Sequence, residues 1–289
     1  MRTMLAAGAF LLALTGAALA GPDSSYDASK PPAVTYGKPH ALAPGVSARS
    51  VSIASPTGHA IAGEIIAGHA KGLHPAILFV HWLGDPKTTN HTEFEPDAVA
   101  LAKKGATALL IDAMWAKPDW FDHMGVDAKA DYDESVAQVI DLRVALHALL
   151  AQPQVDPARV AYVGHDFGAM FGALMAGVEP APQYYVLMAG TATLQEWYLL
   201  EHKAKDEAAY TGIIAPLDIL ASLKASKAKG YLLQFAAHDH YIPLDRAQRL
   251  ADATPLPKGV FWYDTGHALA VPDAFADRQA WLSEKLFGK

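Results

Sequence analysis

Val160-Ala161-Tyr162-Val163-Gly164-His165-Asp166-Phe167-Gly168 reads as an apolar strand running into a Gly-x-Asp-x-Gly turn. A side chain that projects from the top of a sheet on a sharp strand-to-helix turn needs small neighbours. The same turn leaves backbone N–H groups facing the reacting atom. Gly164 and Gly168 meet that need, and Asp166 stands where such turns usually carry serine. The stretch therefore points to a fold and a site together, and the carboxylate decides which chemistry is open.

Outward from this turn, strand and helix patterns alternate. Arg49–Ala54 and Ile61–Ala67 read as a β-pair; Ala76–Val80, Ala106–Ile111, Val160–Val163, Tyr184–Met188, Tyr231–Phe235 and Gly259–Tyr263 follow as apolar strands. Helical patterns fall at Glu93–Lys104, Asp131–Ala151, Phe167–Gly177, Leu217–Ala225, Asp245–Ala253 and Pro272–Phe287. Two antiparallel starters followed by repeated strand–helix units predict an α/β domain over 46–289, with a mostly parallel sheet covered by helices on both faces. Residues 189–228 are the longest excursion between core strands, read either as a short lid or as an ordinary surface helix pair.

The 289 residues carry a net charge of -7 with scattered Lys and Arg, which excludes the basic footprint of a nucleic-acid partner. Cysteine is absent, so disulfides, thiolate catalysis and Cys-ligated zinc are excluded as well. Arg2, the apolar run Met4–Leu14 and Ala18-Leu19-Ala20 before Gly21 have the form of a signal peptide over 1–20. A periplasmic or secreted protein with no membrane anchor after cleavage is expected. Residues 21–45, rich in Pro, Gly, Ser and Ala, are expected either as an extended arm lying on the domain or as a disordered leader.

With the preceding Gln152–Arg159 segment and Asp141-Leu142-Arg143, the Val160–Gly168 stretch resembles the dienelactone hydrolase branch of the α/β-hydrolases. Two later segments are similar to that family too. In Ala236–Pro243, Asp239 precedes the Ile242-Pro243 pair as the family's acid does, and Asp264-Thr265-Gly266-His267-Ala268 resembles its Gly-His loop. The resemblance implies an α/β-hydrolase fold, a triad of Asp166, Asp239 and His267, and a small-molecule substrate without a cofactor. Glu196 is a weaker candidate acid. His81-Trp82-Leu83-Gly84-Asp85 occupies the place of the oxyanion loop, which implies the amides of Phe167 and Leu83 as donors. Trp82 replaces the usual glycine and either narrows the pocket or offers an indole N–H. Trp115, Trp120 and Phe121 are expected as a pocket wall or as a structural aromatic cluster.

An aspartate nucleophile is ill suited to ordinary acyl transfer, because the anhydride it would form collapses back more readily than an alkoxide leaves. Attack on a saturated carbon gives instead an alkyl ester, which water activated by His267 can hydrolyse. Epoxide hydrolases and haloalkane dehalogenases follow this route, and their turns also read Gly-His-Asp-x-Gly. The resemblance departs from the dehalogenases at Phe167, where they place tryptophan. Epoxide opening needs an acid, for which Tyr198 and Tyr210 of the excursion are the candidates. Ester or lactone hydrolysis with Asp166 as a base, and a non-catalytic ligand-binding role, are the other readings. His238 and His240 have a His-x-His spacing but lack a second ligand motif, so no metal is expected. His165 reads as a packing or loop-bracing residue.

Overall fold

The computed structural model describes residues 23–85, 87, 90–200 and 202–288; the expected signal peptide lies outside the described residues. The strands are β1 (Val34–Tyr36), β2 (His40–Ala43), β3 (Val46–Ala54), β4 (Ala60–Gly68), β5 (His74–Val80), β6 (Thr107–Ile111), β7 (Val155–His165), β8 (Tyr184–Met188), β9 (Gly230–Ala236) and β10 (Lys258–Tyr263). The α-helices are α1 (Glu95–Ala102), α2 (Trp120–His123), α3 (Ala128–Leu150), α4 (Phe167–Ala176), α5 (Gln195–Tyr198), α6 (Glu207–Ile214), α7 (Ile219–Ala225), α8 (Leu244–Ala253) and α9 (Pro272–Phe287).

One sheet holds the strands in the order β1-β3-β4-β6-β5-β7-β8-β9-β10, with β2 also paired to β3. From β6 to β10 the pairings are parallel. β4 is antiparallel to both β3 and β6. The burial patterns follow from this layering. Central strands β5 and β9 are buried at every position, as a parallel sheet covered on both faces requires, and their sequences are apolar apart from His74 and Gln234. The flanking β3 alternates between buried and more exposed positions.

Of the expected arm, residues 23–45 lie extended on the domain. β1 and β2 pair antiparallel with β3, the Tyr26 hydroxyl hydrogen-bonds His147 Nδ1 on α3, and the Arg143 guanidinium lies 5.0 Å over the Tyr26 ring. Backbone pairing at a sheet edge needs no apolar alternation, so the composition of this segment concealed it.

Within the excursion 189–228, α6 packs against α3 and α7 against α4. Only its first part, around α5, reaches the ends of the strands. The sheet order reverses about β5, with β6 on one side and β7 on the other. Chains leaving the carboxyl ends of β5 and β7 diverge there and open a crevice. The register pairs Val80 with Gly164, which sets the loop after β5 beside the turn after β7.

Candidate active site

Asp166 links β7 to α4 with φ 56° and ψ -115°, a left-handed conformation that costs a non-glycine residue roughly 1–3 kcal/mol. Close packing explains both glycines. A Cβ on Gly164 would lie 2.3 Å from the Gly168 carbonyl oxygen, and one on Gly168 would lie 2.3 Å from the Val80 oxygen. Neither backbone contact can yield, so the turn lies flush against β5 and α4 starts immediately behind it.

Three loops meet at Asp166. From the β5 loop, the Leu83 N–H donates to Asp166 Oδ2 at 3.1 Å. From the loop after β10, His267 Nε2 lies 4.0 Å from the same oxygen, an ion-pair contact longer than a hydrogen bond. From the loop after β9, Asp239 Oδ2 accepts from His267 Nδ1 at 2.8 Å, while Asp239 Oδ1 accepts the Tyr241 and Ile242 amides, both at 2.9 Å. The sequence-assigned triad is therefore together in space. The Phe167 N–H is the first amide of α4 and has no acceptor within the helix, which leaves it as the second donor at the turn. Asp166 Oδ1 is buried without a hydrogen-bond partner among the described residues.

The electrostatics follow from this arrangement. Burial opposes charge on His267, but Asp166 and Asp239 on either side outweigh it and hold the imidazole up to about 9. Burial likewise raises the Asp239 carboxyl, yet His267 and the two amides bring it below the usual carboxylate range.

A cavity of about 550 Å³ opens over Asp166 and His267. Trp82, Leu83, Phe121, Trp197, Leu200 and Tyr241 line it, giving a largely apolar, aromatic wall. No Lys or Arg stands among the lining residues. The indole of Trp82 narrows the cavity and stacks on His165 at 5.3 Å with 5° between the planes. Its backbone N–H is bound by Glu93 Oε2 at 2.8 Å, so Leu83 rather than Trp82 supplies the loop's donor.

The structure removes two expected acids. Tyr198 is fully buried with its hydroxyl 2.7 Å from Ser135 Oγ, and Tyr210 donates to Asp131 Oδ2 at 2.6 Å. Both phenols face α3, because the excursion is anchored there, and neither lines the cavity. Glu196 is held by Arg249 at 2.6 Å and by Thr191 at 3.0 Å, away from His267. Of the aromatic segment after β6, only Phe121 reaches the cavity. Trp115 and Trp120 are buried against Phe167, at ring distances of 5.5 and 5.3 Å. His238 pairs with Asp264 at 2.6 Å in an exposed position. No group of three or more possible metal ligands occurs among the described residues.

Sequence reasoning placed Trp197 in the excursion that could cover the strand ends but gave no site role to Trp197, Tyr241 or Glu93. Tyr241 was within reach, since it lies two residues after the acid Asp239 on the same loop. Glu93 gives no comparable signal, because it acts from a 3-10 turn, His91–Phe94, after the oxyanion loop.

No family model matches the sequence, and no curated protein matches it by sequence. Solved structures do resemble it. An acetyl xylan esterase from Paenibacillus sp. R4 superposes with a TM-score of 0.72 at 17% identity, over 89% of this chain and 90% of that one. Acetyl xylan esterase 1 from Thermoanaerobacterium sp. JW/SL YS485 gives 0.69 at 16% identity, over 90% and 89%. A structure assigned as a dienelactone hydrolase from Klebsiella pneumoniae subsp. pneumoniae MGH 78578 gives 0.62 at 17% identity, over 84% and 99%. With the mixed sheet, the strand-end crevice and the turn at Asp166, these likenesses establish that the chain has the α/β-hydrolase fold.

Proposed function

We propose that this chain is a hydrolase of small, mostly apolar organic substrates, working through an ester formed on Asp166. The observation that carries this reading is the Leu83 N–H on Asp166 Oδ2. In acyl transfer the oxyanion donors must be open to a substrate carbonyl. Here one of them already holds an oxygen of the enzyme's own carboxylate, the atom that becomes the oxyanion when water attacks an aspartyl ester. In the first step an Asp166 oxygen forms a bond to a saturated carbon of the substrate, and the leaving group departs with its electron pair. In the second, His267 Nε2 takes a proton from water as the water attacks Asp166 Cγ. Leu83 and Phe167 hold the oxyanion, and collapse releases the alcohol, which recovers that proton. Esterification also removes one of the two anions that keep His267 protonated, so the imidazole becomes a base when a base is required. For an epoxide, the phenol that lines the cavity and can protonate the opening oxygen is Tyr241.

Carboxylester or lactone hydrolysis is the second reading, with Asp166 as a base for water. The names of the structural neighbours favour it, since two are acetyl xylan esterases and one is assigned as a dienelactone hydrolase. Single turnover in heavy-oxygen water separates the two, using a panel of epoxides, haloalkanes, aryl esters and lactones. The aspartyl-ester route puts label into the Asp166 side chain, and His267→Gln traps an adduct there, visible by intact mass. Ester turnover with label only in the product and no adduct supports the second reading. The form of residues 1–20 supports action outside the cytoplasm, which a mature N-terminus near Gly21 on exported material would confirm and an intact Met1 would refute.

A further inference from the structure

His165 immediately precedes Asp166 and is 1% exposed. Its Nδ1 lies 2.6 Å from Glu93 Oε1 and its Nε2 lies 3.0 Å from the His267 carbonyl oxygen. A carbonyl has no proton to give, so Nε2 must carry one. Across the other contact Glu93 accepts with both oxygens, Oε2 from the Trp82 N–H and Oε1 at Nδ1, so as a carboxylate it accepts the hydrogen bond from Nδ1, which carries the shared proton. Both ring nitrogens are then protonated. His81 supplies the internal contrast: its Nε2 accepts from the Ala113 N–H at 3.1 Å while its Nδ1 donates to the Trp82 carbonyl at 2.7 Å, so a single proton suffices. The parallel Trp82 ring adds a π face against His165, an arrangement that favours a cation.

The connections of this pair reach the loop after β5, the turn at Asp166 and the His267 loop. Glu93 Oε2 holds the Trp82 amide, one residue before the Leu83 donor. His165 holds the backbone of His267 and is bonded covalently to Asp166. We propose that the half-buried Glu93 and the buried His165 form a carboxylate–imidazolium pair that positions the Leu83 amide and the His267 ring on either side of Asp166. They are positioning residues, since both act through other groups. Such an ion pair adds little net stability, and its proposed role here is to hold the groups it joins in one arrangement. The proposal takes the working groups from the function proposed above, and its physical content can be tested without turnover.

Nitrogen and proton NMR of the full chain near neutral pH provides the test. Two protonated nitrogens are expected on His165, beside a neutral His81 in the same spectrum. In Glu93→Gln, His165 should become a neutral tautomer. The Leu83 amide and the His267 Nδ1 proton, neither of which touches Glu93, should shift. A neutral His165 in the unaltered protein overturns the proposal, as do unchanged Leu83 and His267 signals in a folded Glu93→Gln. If that variant does not fold, the unaltered protein still decides. On any panel substrate that turns over, Glu93→Gln should lower kcat about 10- to 100-fold with KM changed less than about threefold, and a change in KM alone would overturn positioning. If nothing on the panel turns over, the functional reading fails and the spectra still decide this one.

Discussion

Asp131 and Asp166 are both buried aspartates at the start of a helix, and they are treated in opposite ways. Asp131 belongs to the first turn of α3, where its Oδ2 accepts the Tyr210 hydroxyl at 2.6 Å and the Gly125 N–H at 3.0 Å. Burial raises its carboxyl above the ordinary range despite those donors. Asp166 sits on a strained backbone with one oxygen held by Leu83 and the other without a partner among the described residues. A satisfied carboxylate anchors; a half-satisfied one on strained backbone keeps an oxygen for chemistry. The Asp131 region ties the 189–228 excursion to the body, and under the function proposed above the Asp166 region leaves its binding capacity for a substrate.

Four substitutions press on this contrast. Asp166→Asn should reduce turnover about 10³-fold or more and abolish the trapped adduct, while the chain stays folded and loses no more stability to urea than the roughly 3 kcal/mol that the charge on His267 can contribute. Retained turnover would make Asp166 no more than a second anchor.

Asp239→Asn should cost about 10²- to 10⁴-fold in turnover, since the His267 tautomer and its orientation are lost. It should also flatten the dependence of stability on pH. In the parent the folded His267 is held at about 9 against an ordinary 6.5. Its stabilisation is therefore fully present below about pH 6.5 and lost as pH rises through about 9, at most on the order of 3 kcal/mol. Urea unfolding at about pH 6 and about pH 10 reads this directly, and an equal slope in both proteins would separate Asp239 from the charge on His267.

Tyr241→Phe should lower epoxide turnover about 10- to 100-fold and leave haloalkane or ester turnover unchanged, because only ring opening needs its proton. Equal losses on every class would make Tyr241 a packing residue of the cavity wall.

Tyr210→Phe should act on the anchor alone. Removing the hydroxyl leaves Asp131 short of one donor, which costs about 1–3 kcal/mol in urea unfolding with kcat unchanged. A loss of kcat at full stability would restore Tyr210 to the chemistry and erase the distinction between the two regions.

These two regions also differ in how much of them was legible. β8 at Tyr184–Met188 and α9 at Pro272–Phe287 match the sequence reading residue for residue. β5, β6, β8, β9 and the Val160–Val163 part of β7 were found because buried parallel strands read as apolar runs, and β10 by its run of aromatic and β-branched residues. The triad was legible because each member follows a strand end, where the chain direction alone brings it to one edge of the sheet. Tyr198 and Tyr210 were misplaced because a lid's side chains point wherever its helices dock, and α3 rather than the cavity receives them. β1 and β2 escaped notice because edge pairing uses backbone groups common to all residues.

The sequence by itself determined the turn at Gly164–Gly168 and the carboxylate on it, and its resemblance to the dienelactone hydrolases pointed to His267 and Asp239. Local sterics fix the turn, and strand order brings the loops after β7, β9 and β10 to one edge of the sheet. Only the tertiary structure decided which amide holds Asp166, that Glu93 and His165 brace two loops at once, and that Tyr241 rather than the excursion tyrosines faces the cavity. Those outcomes depend on distances between segments remote in the chain, and such distances are set by packing across the whole sheet.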